Sequence, residues 1–200
     1  MSQLSGGQAA IDRFLDTRNQ ALSLFASKGY RNVGMRELAS ALGINCGSLY
    51  NHIESKEALL FEFFEELYEL LRLKAERIQR RAAPGRLRAI IEMHLELHTR
   101  MPCHFQLVER EWPSLSEPWL SQAATLRHRY EQIVAQALDH PPSELNCESS
   151  VVTLLNQAPA WLLSVAPKAK QRAELVHGMV QLILNQATLK CGPSGLDLTD

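Results

Sequence analysis

Two short segments with helical periodicity, separated by only three residues, constrain the fold of this chain more than any other feature. Apolar side chains recur at helical spacing over residues 35–42 and again over 46–53, with Gly43, Ile44 and Asn45 between them. Glycine accepts the positive φ of a tight turn, and asparagine is a favoured N-cap for the second helix. The spacing is typical of a helix-turn-helix, although a helical hairpin inside an ordinary core gives the same pattern.

The remainder of the sequence also favours helices. It contains 32 Leu and 21 Ala but only 8 Val and 8 Ile, and no segment alternates apolar and polar residues between hairpin turns. Apolar periodicity predicts an additional helix that ends at Gly29, a long one from Ser55 to about Arg81, and others over 86–100, 103–111, 117–139, 148–165 and 168–190. We therefore predict an all-α fold.

Composition and charge narrow the class of protein further. With 46% apolar residues the chain is not wholly disordered, and a net charge of −1 provides no bulk attraction to nucleic acid. The four cysteines lie at least 44 residues apart without a CxxC pair, and the N-terminus lacks the apolar stretch of a signal peptide. We therefore expect a reduced, cytoplasmic protein, and no apolar run is long enough to predict a membrane span.

Three stretches around the two short helices carry a family resemblance. They are ALSLFASKGY (21–30), MRELASALGI (35–44) and GSLYNHIESKEALL (47–60). Taken together, they closely resemble the N-terminal domain of the tetracycline-repressor (TetR) family of bacterial regulators, over about residues 10–60. The resemblance implies a three-helix DNA-binding domain, which a fourth helix joins to a larger helical domain for effector binding and dimerisation. We accordingly expect a tail over 1–9, a helix-turn-helix domain over 10–54, a ligand-binding and dimerisation domain over 55–191, and a tail over 192–200.

The resemblance also implies which residues contact a double-stranded DNA operator. Arg36 matches a basic residue that commonly reaches a base or a phosphate. Ser48 and Tyr50 match hydroxyl positions that bind phosphates, and Lys56 matches a lysine that pins the DNA backbone. His52 either contacts a phosphate or fills the seam between helices. The expected DNA-binding residues are Arg36, Asn45, Cys46, Gly47, Ser48, Tyr50, Asn51, His52 and Lys56.

The chain departs from the family pattern at two positions. Gly34 stands where the family usually has a Ser or Thr that caps the second helix. Cys46 stands at a position that is often basic or polar in relatives, so the operator sequence does not follow by analogy. Cys46 is either a small residue near a phosphate or a redox sensor.

The C-terminal two-thirds carries no catalytic signature. It has no P-loop, no GxSxG and no HExxH, so we predict that the protein is not an enzyme and uses no cofactor. Large apolar side chains in its central helices either form plain core or line a cavity for a hydrophobic small-molecule effector. The candidate pocket residues are Met93, Leu97, Met101, Phe105, Trp112, Trp119, Tyr130 and Trp161.

A second resemblance concerns residues 92–139. The runs HLELH (94–98), LVEREW (107–112) and LRHRYE (126–131) resemble a C-terminal domain type of the same family. Several members with that pattern regulate lipid or steroid catabolism and sense acyl-CoA thioesters. The resemblance implies an elongated hydrophobic effector, with Arg110, Arg127 or Arg129 meeting a phosphate. Alternatively, these arginines pair within the chain with Glu109, Glu111 or Glu131.

The last two predicted helices are apolar on more than one face. Pairing with a two-fold mate into a four-helix bundle would bury this surface, and a simple intramolecular core is the alternative. We predict a homodimer whose interface contains Val151, Leu155, Leu162, Val176, Met179, Val180, Ile183 and Leu184. The combined prediction is a repressor that an effector releases from its operator, with the change transmitted through the fourth helix.

A histidine cluster supports a competing hypothesis. His94 and His98 lie four residues apart on one predicted helix, a spacing that zinc accepts, and Cys103 and His104 follow shortly after. This hypothesis is a metal-dependent helical enzyme or metal sensor that uses His94, His98 and His104. No Asp or Glu clearly completes the set on that helical face, so the favoured prediction contains no metal.

Overall fold

The computed structural model describes residues 17–50, 53–80, 85–138 and 147–190. Within those ranges the only regular secondary structure is helical, which confirms the predicted all-α fold. Short 3-10 turns cover Tyr30–Asn32 and Trp112–Ser114. The α-helices are α1 (17–28), α2 (Met35–Ala41), α3 (Cys46–Leu49), α4 (Lys56–Gln79), α5 (Arg86–Arg100), α6 (Pro102–Glu111), α7 (Trp119–Leu138), α8 (Cys147–Val165) and α9 (Ala169–Lys190).

Some predictions fall outside these ranges. The expected tails at 1–9 and 192–200 do so, as do Asn51 and His52. None of the helices within the described ranges is long and apolar enough to cross a membrane.

The chain divides into two compact units. The N-terminal unit contains residues 1–68 and 101–126, and the C-terminal unit contains residues 69–100 and 127–200. The chain therefore passes from one unit to the other three times, namely within α4, between α5 and α6, and within α7. α6 belongs to the same unit as α1–α3, whereas the expected division at residue 54 separates them; that division stays a prediction.

The helix-turn-helix of the N-terminal unit follows from its turn and cap residues. Gly43 adopts a φ of 66°, and the Asn45 side-chain oxygen accepts a 2.7 Å hydrogen bond from the Ser48 backbone N–H. Inward-facing Leu38 and Leu49 are fully buried. α3 is shorter than the predicted 46–53, because its helical residues are Cys46–Leu49 and Tyr50 forms the C-cap.

In the C-terminal unit, α5, α8 and α9 pack on one another. Their buried apolar faces form its core, with Ile90 and Ile91 on α5, Val151 and Leu155 on α8, and Val180 on α9. This burial supplies most of the unit's stability, since apolar area removed from water is the dominant favourable contribution to folding.

Candidate nucleic-acid interface

The helix-turn-helix presents a small, polar surface around α3. Asn45, Gly47 and Tyr50 are exposed, and the Tyr50 side chain has 59% of its surface accessible. Cys46 and Ser48 are half-buried on the same short helix. Small polar side chains allow a helix to enter the major groove, and hydroxyls donate hydrogen bonds to phosphate oxygens. α3 therefore has the shape and chemistry of a recognition helix.

Arg36 and Asn45 differ in the contacts that their side chains make. Arg36 is exposed on α2, and Gly34 at the start of that helix makes no side-chain capping hydrogen bond. The side-chain oxygen of Asn45 serves as the N-cap of α3, so its first role is to fix the helix that carries the other groups.

The Lys56 side chain makes contacts within the protein. Its ammonium lies 2.9 Å from the Tyr30 carbonyl oxygen, 2.8 Å from that of Val33 and 4.1 Å from the centre of the Tyr30 ring. Burial lowers the pKa of Lys56, and the nearby Glu111 carboxylate acts in the opposite direction. Because an ammonium has three N–H groups, this arrangement leaves one for a phosphate.

The same short segment is held from α6. We call residues 29–34 the α1–α2 turn; it begins at Gly29, whose φ of 90° suits glycine. Glu111 at the end of α6 accepts a 3.1 Å hydrogen bond from the Tyr30 N–H and a 2.8 Å one from Arg110. Burial raises the pKa of Glu111, but the hydrogen bonds from Tyr30, Arg110 and Ser114 outweigh it and leave the pKa below its usual value.

Two arginines complete these contacts. Arg110 donates to the carbonyl oxygens of Phe25 and Ala26, near the C-terminus of α1, at 2.7 and 2.9 Å. Arg31 in the turn donates to the Pro113 carbonyl oxygen at 2.9 Å and to the Ser114 hydroxyl at 3.2 Å.

The intramolecular alternative for two of the arginines is confirmed. Arg110 pairs with Glu111, and Arg127 pairs with Glu131 at 2.8 Å while donating to the Thr153 hydroxyl, also at 2.8 Å. The sequence named Glu111 and Glu131 among the possible partners of these arginines. It did not point to the carbonyls of α1, because those lie more than 80 residues away in the chain.

The candidate pocket residues are divided between the two units. Met101, Phe105, Trp112 and Trp119 belong to the N-terminal unit, where Trp112 packs against Phe64 and Trp119 against Phe61 in tilted arrangements, with ring centroids 5.5 and 4.8 Å apart. The others belong to the C-terminal unit, in which Leu97 and Tyr130 are buried, Met93 is half-buried and Trp161 is exposed. A pocket formed by all eight stays a prediction.

The C-terminal unit contains a cleft that the sequence analysis missed. The α5–α9 cleft has a volume of about 510 Å³, and none of the eight candidate pocket residues lines it. Buried Leu95 and Ala173 contribute apolar surface, and the other lining residues are Glu92, Glu96, Thr99, Arg100, Ala169, Lys170 and Arg172. Its lining contains none of the aromatic side chains on which the pocket prediction depended. The signal available in the sequence was the pair of small residues Ala169 and Ala173, four residues apart and beside basic residues.

The histidines lie in different surroundings. His94 is completely buried with its Nδ1 3.0 Å from the Tyr130 hydroxyl, and burial lowers its pKa to about 3, so it is neutral at physiological pH. His104, in the N-terminal unit, has its Nε2 3.4 Å from a Glu66 carboxylate oxygen. Over the described ranges, no three His, Cys, Asp or Glu side chains are grouped so that they hold a metal ion. The metal hypothesis therefore has no geometric support there.

The predicted dimer residues are largely internal. Six of the eight are buried within the single chain, namely Val151, Leu155, Leu162, Val176, Val180 and Leu184. Among the side chains of α8 and α9 that the structure describes, the exposed large apolar ones are instead Trp161, Val165, Leu175 and Leu182, with 39%, 63%, 39% and 65% of their surface accessible. Each helix thus carries exposed apolar side chains in addition to its buried ones, and we call these four residues the α8–α9 face.

A recognition helix set by a glycine turn and an asparagine cap defines a helix-turn-helix protein. Two family models match this chain. The model described as "Bacterial regulatory proteins, tetR family" matches residues 18–63, and "Tetracyclin repressor-like, C-terminal domain" matches residues 80–156. The chain belongs to the TetR family.

Individual relatives agree with this assignment. Over 52 residues, which are 24% of this chain and 26% of the relative, the chain is 42% identical to the HTH-type transcriptional repressor KstR2 of Rhodococcus jostii (strain RHA1). The match thus spans about a quarter of that repressor.

Solved structures with similar folds cover most of the chain. The TetR-family transcriptional regulator PfmR from Thermus thermophilus has a TM-score of 0.69 and 25% identity, over 84% of this chain and 97% of that one. AibR in complex with isovaleryl coenzyme A and operator DNA has a TM-score of 0.72 and 23% identity, over 86% and 98%. The second likeness concerns the fold alone.

Proposed function

We propose that this protein is a homodimeric transcriptional repressor that binds a DNA operator through α2 and α3. The observation that carries the proposal is the exposed polar surface of α3, centred on Tyr50 and backed by the buried Leu49. Membership of a family of bacterial regulatory proteins supports it.

The DNA contacts follow from the chemistry of the exposed groups. Tyr50 and Ser48 donate hydroxyl hydrogen bonds to phosphates, and Arg36 contacts a phosphate or a base edge. Lys56 contributes its remaining N–H. Phosphate contacts fix the register of α3, while Cys46, Gly47, Asn51 and His52 stay candidates for the groove.

The dimer is proposed to form through the α8–α9 face. Trp161 and Val165 lie four residues apart on α8, and Leu175 and Leu182 lie seven apart on α9, so each pair shares one side of its helix. Exposed apolar patches of this kind mark interaction surfaces, and a two-fold dimer supplies one α3 for each half-site. The buried residues among the eight predicted interface residues stabilise the packing of α8 against α9, on which this face depends.

The effector is proposed to be a hydrophobic small molecule or an acyl-CoA-type thioester. The α5–α9 cleft combines apolar surface with three bases, Arg100, Lys170 and Arg172, against two acids, Glu92 and Glu96. This excess of one positive charge suits an amphipathic anion. AibR, whose fold is similar, was solved with isovaleryl coenzyme A. Titration of the protein with isovaleryl-CoA and with free coenzyme A, followed by thermal unfolding, separates recognition of the acyl chain from recognition of the nucleotide.

DNA binding is tested by fluorescence anisotropy with a duplex from the region upstream of the protein's own gene. We expect at least about a hundredfold preference over a shuffled duplex of equal composition, since specific sites bind far more tightly than random DNA. Tyr50→Phe, which removes only one hydroxyl, should weaken operator binding, whereas Arg77→Gln on α4 should not. Equal affinity for both duplexes would refute the proposal.

Dimerisation is tested separately by light scattering. Leu182→Glu places a charge on the α8–α9 face and should shift the protein toward the monomer, while Leu73→Glu, at an exposed position on α4, should leave the molar mass unchanged. An unchanged dimer for Leu182→Glu would place the interface elsewhere.

A further inference from the structure

The segment that contains the helix-turn-helix is richer in bases than in acids. Over residues 28–56 the acids are Glu37 and Glu54. The bases of the same segment are Lys28, Arg31, Arg36 and Lys56. Bases on such a surface attract the phosphates of any duplex, whatever its sequence. The strength of that attraction depends on which of the four cations are available to DNA.

Three of the four cations are engaged within the protein. The Arg31 guanidinium donates hydrogen bonds beyond the end of α6, and the Lys56 ammonium donates to carbonyl oxygens of the α1–α2 turn. The Lys28 ammonium forms an ion pair with the Glu37 carboxylate. Arg36, in contrast, is exposed and forms no hydrogen bond or ion pair with the part of the chain that the structure describes.

The Lys28–Glu37 pair lies next to this exposed arginine. It joins the last residue of α1 to the first turn of α2, where Glu37 directly follows Arg36. The two side chains have 56% and 37% of their surface accessible, so both charged groups are in contact with solvent. DNA carries one negative charge per about 1.7 Å of helix axis. A duplex that Arg36 contacts therefore also brings phosphates near the pair.

An ion pair beside a polyanion adds little to its binding. While the Lys28 ammonium stays with Glu37, the two charges largely cancel at the distance of a phosphate. If the ammonium moves to a phosphate instead, the carboxylate is left unpaired beside the DNA backbone and is repelled by it. Without the Glu37 charge, the same ammonium is free to bind a phosphate at no such cost.

We propose that Glu37 limits the sequence-independent affinity of this protein for DNA by withholding Lys28 from the phosphates. The inference rests on the proposed function and deepens it, because it names a residue that sets the strength of DNA binding without contacting a base. A repressor needs an affinity that its effector can reverse, and coupling between two sites typically changes an affinity by only about 5–150-fold. Weak attraction to the DNA backbone makes that reversal easier.

The test measures binding of the full-length protein to the shuffled duplex by fluorescence anisotropy at several salt concentrations. The variants are Glu37→Gln, Lys28→Gln and the double variant with both changes. The matched controls are Glu174→Gln and Arg88→Gln, because these two residues form a similar exposed pair between α9 and α5, with a nitrogen–oxygen distance of 3.6 Å.

Glu37→Gln should bind the shuffled duplex about tenfold more tightly at low salt, and the slope of log K against log salt should become steeper by about one per protomer. Lys28→Gln should bind about threefold more weakly, because it leaves the carboxylate unpaired. The double variant, which has neither charge, should stay within about twofold of the wild type. The two controls should change neither the affinity nor the slope.

Three results would overturn the proposal. The first is a Glu37→Gln variant that binds no more tightly than the wild type, and the second is a double variant that binds as tightly as Glu37→Gln, since Lys28 would then play no part. The third is a double variant as weak as Lys28→Gln, because Lys28 would then bind a phosphate in the wild type. An equal gain in Glu174→Gln would attribute the effect to net charge and would also overturn it.

Thermal unfolding distinguishes this role from a purely structural one. An exposed ion pair contributes little to stability, so the unfolding midpoints of the single variants should lie within about 4 °C of the wild type. A larger fall in both single variants, together with weaker DNA binding in both, would mean that the pair positions α2 and would overturn the proposal.

Failure of the proposed function gives a different result. A wild type that binds the upstream duplex no better than the shuffled one would refute the repressor proposal. The shuffled duplex would still decide the role of Glu37, since phosphate contacts act uniformly across sequences. A wild type that binds neither duplex at low salt would overturn both proposals.

Discussion

The two units differ in the kind of interaction that places the helices within each of them. In the described part of the N-terminal unit, polar bonds mostly join distant segments, as between Arg18 and Glu62 or between Arg110 and α1. Among the described residues of the C-terminal unit, ion pairs mostly join residues three or four apart on one helix, such as Arg100 with Glu96. Long-range polar bonds therefore add to apolar packing in the first unit, whereas the second unit relies mainly on apolar packing.

The polar bonds matter most for the recognition helix. A recognition helix must be placed within a fraction of an ångström, and hydrogen bonds with fixed geometry achieve that. Apolar packing is non-directional, so a core held mainly by it accepts volume-conserving changes of side chain. Removing a buried apolar group should therefore lower the stability strongly, whereas removing a polar group near the helix-turn-helix should affect DNA binding more than stability.

The largest effect is expected in the C-terminal core. Leu155→Ala, at a completely buried position on α8, should lower the free energy of unfolding by about 3 kcal/mol, because it leaves a cavity. Chemical denaturation measures this. Leu73→Ala, on the exposed side of α4, should cost less than about 0.5 kcal/mol; similar losses for the two variants would show that packing does not dominate this unit.

The next largest effect concerns the loss of stability of the C-terminal unit at acid pH. His94 is neutral when folded, with a pKa of about 3, and protonates in the unfolded chain near its ordinary 6.5. The unfolded state therefore binds the extra proton between these values, and stability falls with decreasing pH. The loss from pH 7 to pH 5 should be about 2 kcal/mol.

The Glu111 carboxylate at the end of α6 behaves differently. Because the pKa of Glu111 is lowered on folding, its contribution is complete above its ordinary value of 4.5 and disappears only as the pH falls through the folded pKa. Denaturation curves at several pH values give the free energy of unfolding as a function of pH. Between pH 5 and 7 its slope should be smaller for His94→Gln than for the wild type, and unchanged for Glu111→Gln. An unaltered slope in His94→Gln would contradict this assignment.

A smaller effect is expected at the DNA surface. Arg36→Gln should weaken operator binding by about 1 kcal/mol and, if the contact is to a phosphate, reduce the slope of log K against log salt by about one per protomer. Its unfolding free energy should stay close to that of the wild type. Anisotropy titrations at several salt concentrations give both quantities, with Arg77→Gln as the control that should change neither.

The smallest effect concerns the local ion pairs of the C-terminal unit. Glu96→Gln breaks the pair with Arg100, but both side chains are more than half exposed. Such pairs contribute little, so the change in unfolding free energy should stay below about 0.5 kcal/mol. A loss about twice as large would mean that directional bonds matter in this unit too.

Local signals were sufficient to predict most of the fold. The helix that was predicted over 103–111 begins one residue earlier, at Pro102, because proline is accepted at the first helical position. Gly43 and Asn45 define the turn before α3 in the same way. α7 starts at Trp119 instead of residue 117.

Features that depend on distant partners could not be predicted in this way. α8 and α9 each have two apolar surfaces, and only the structure distinguishes Leu162, which packs inside, from Val165, which is exposed three residues later. Likewise, the pattern of Arg110 and Glu111 indicates a pair but not its attachment to Phe25 and Tyr30. The cleft was missed because its lining is charged and small, not aromatic.

The threefold passage of the chain between the units bears on how such regulators recombine. Exchanging residues 1–54 for those of a relative would leave Arg110 and Glu111 of one protein facing the α1–α2 turn of another. A functional chimera must therefore move two separate stretches together, the N-terminal helices and residues 101–126. The residues that must be exchanged together to transfer DNA recognition are thus discontinuous in the gene.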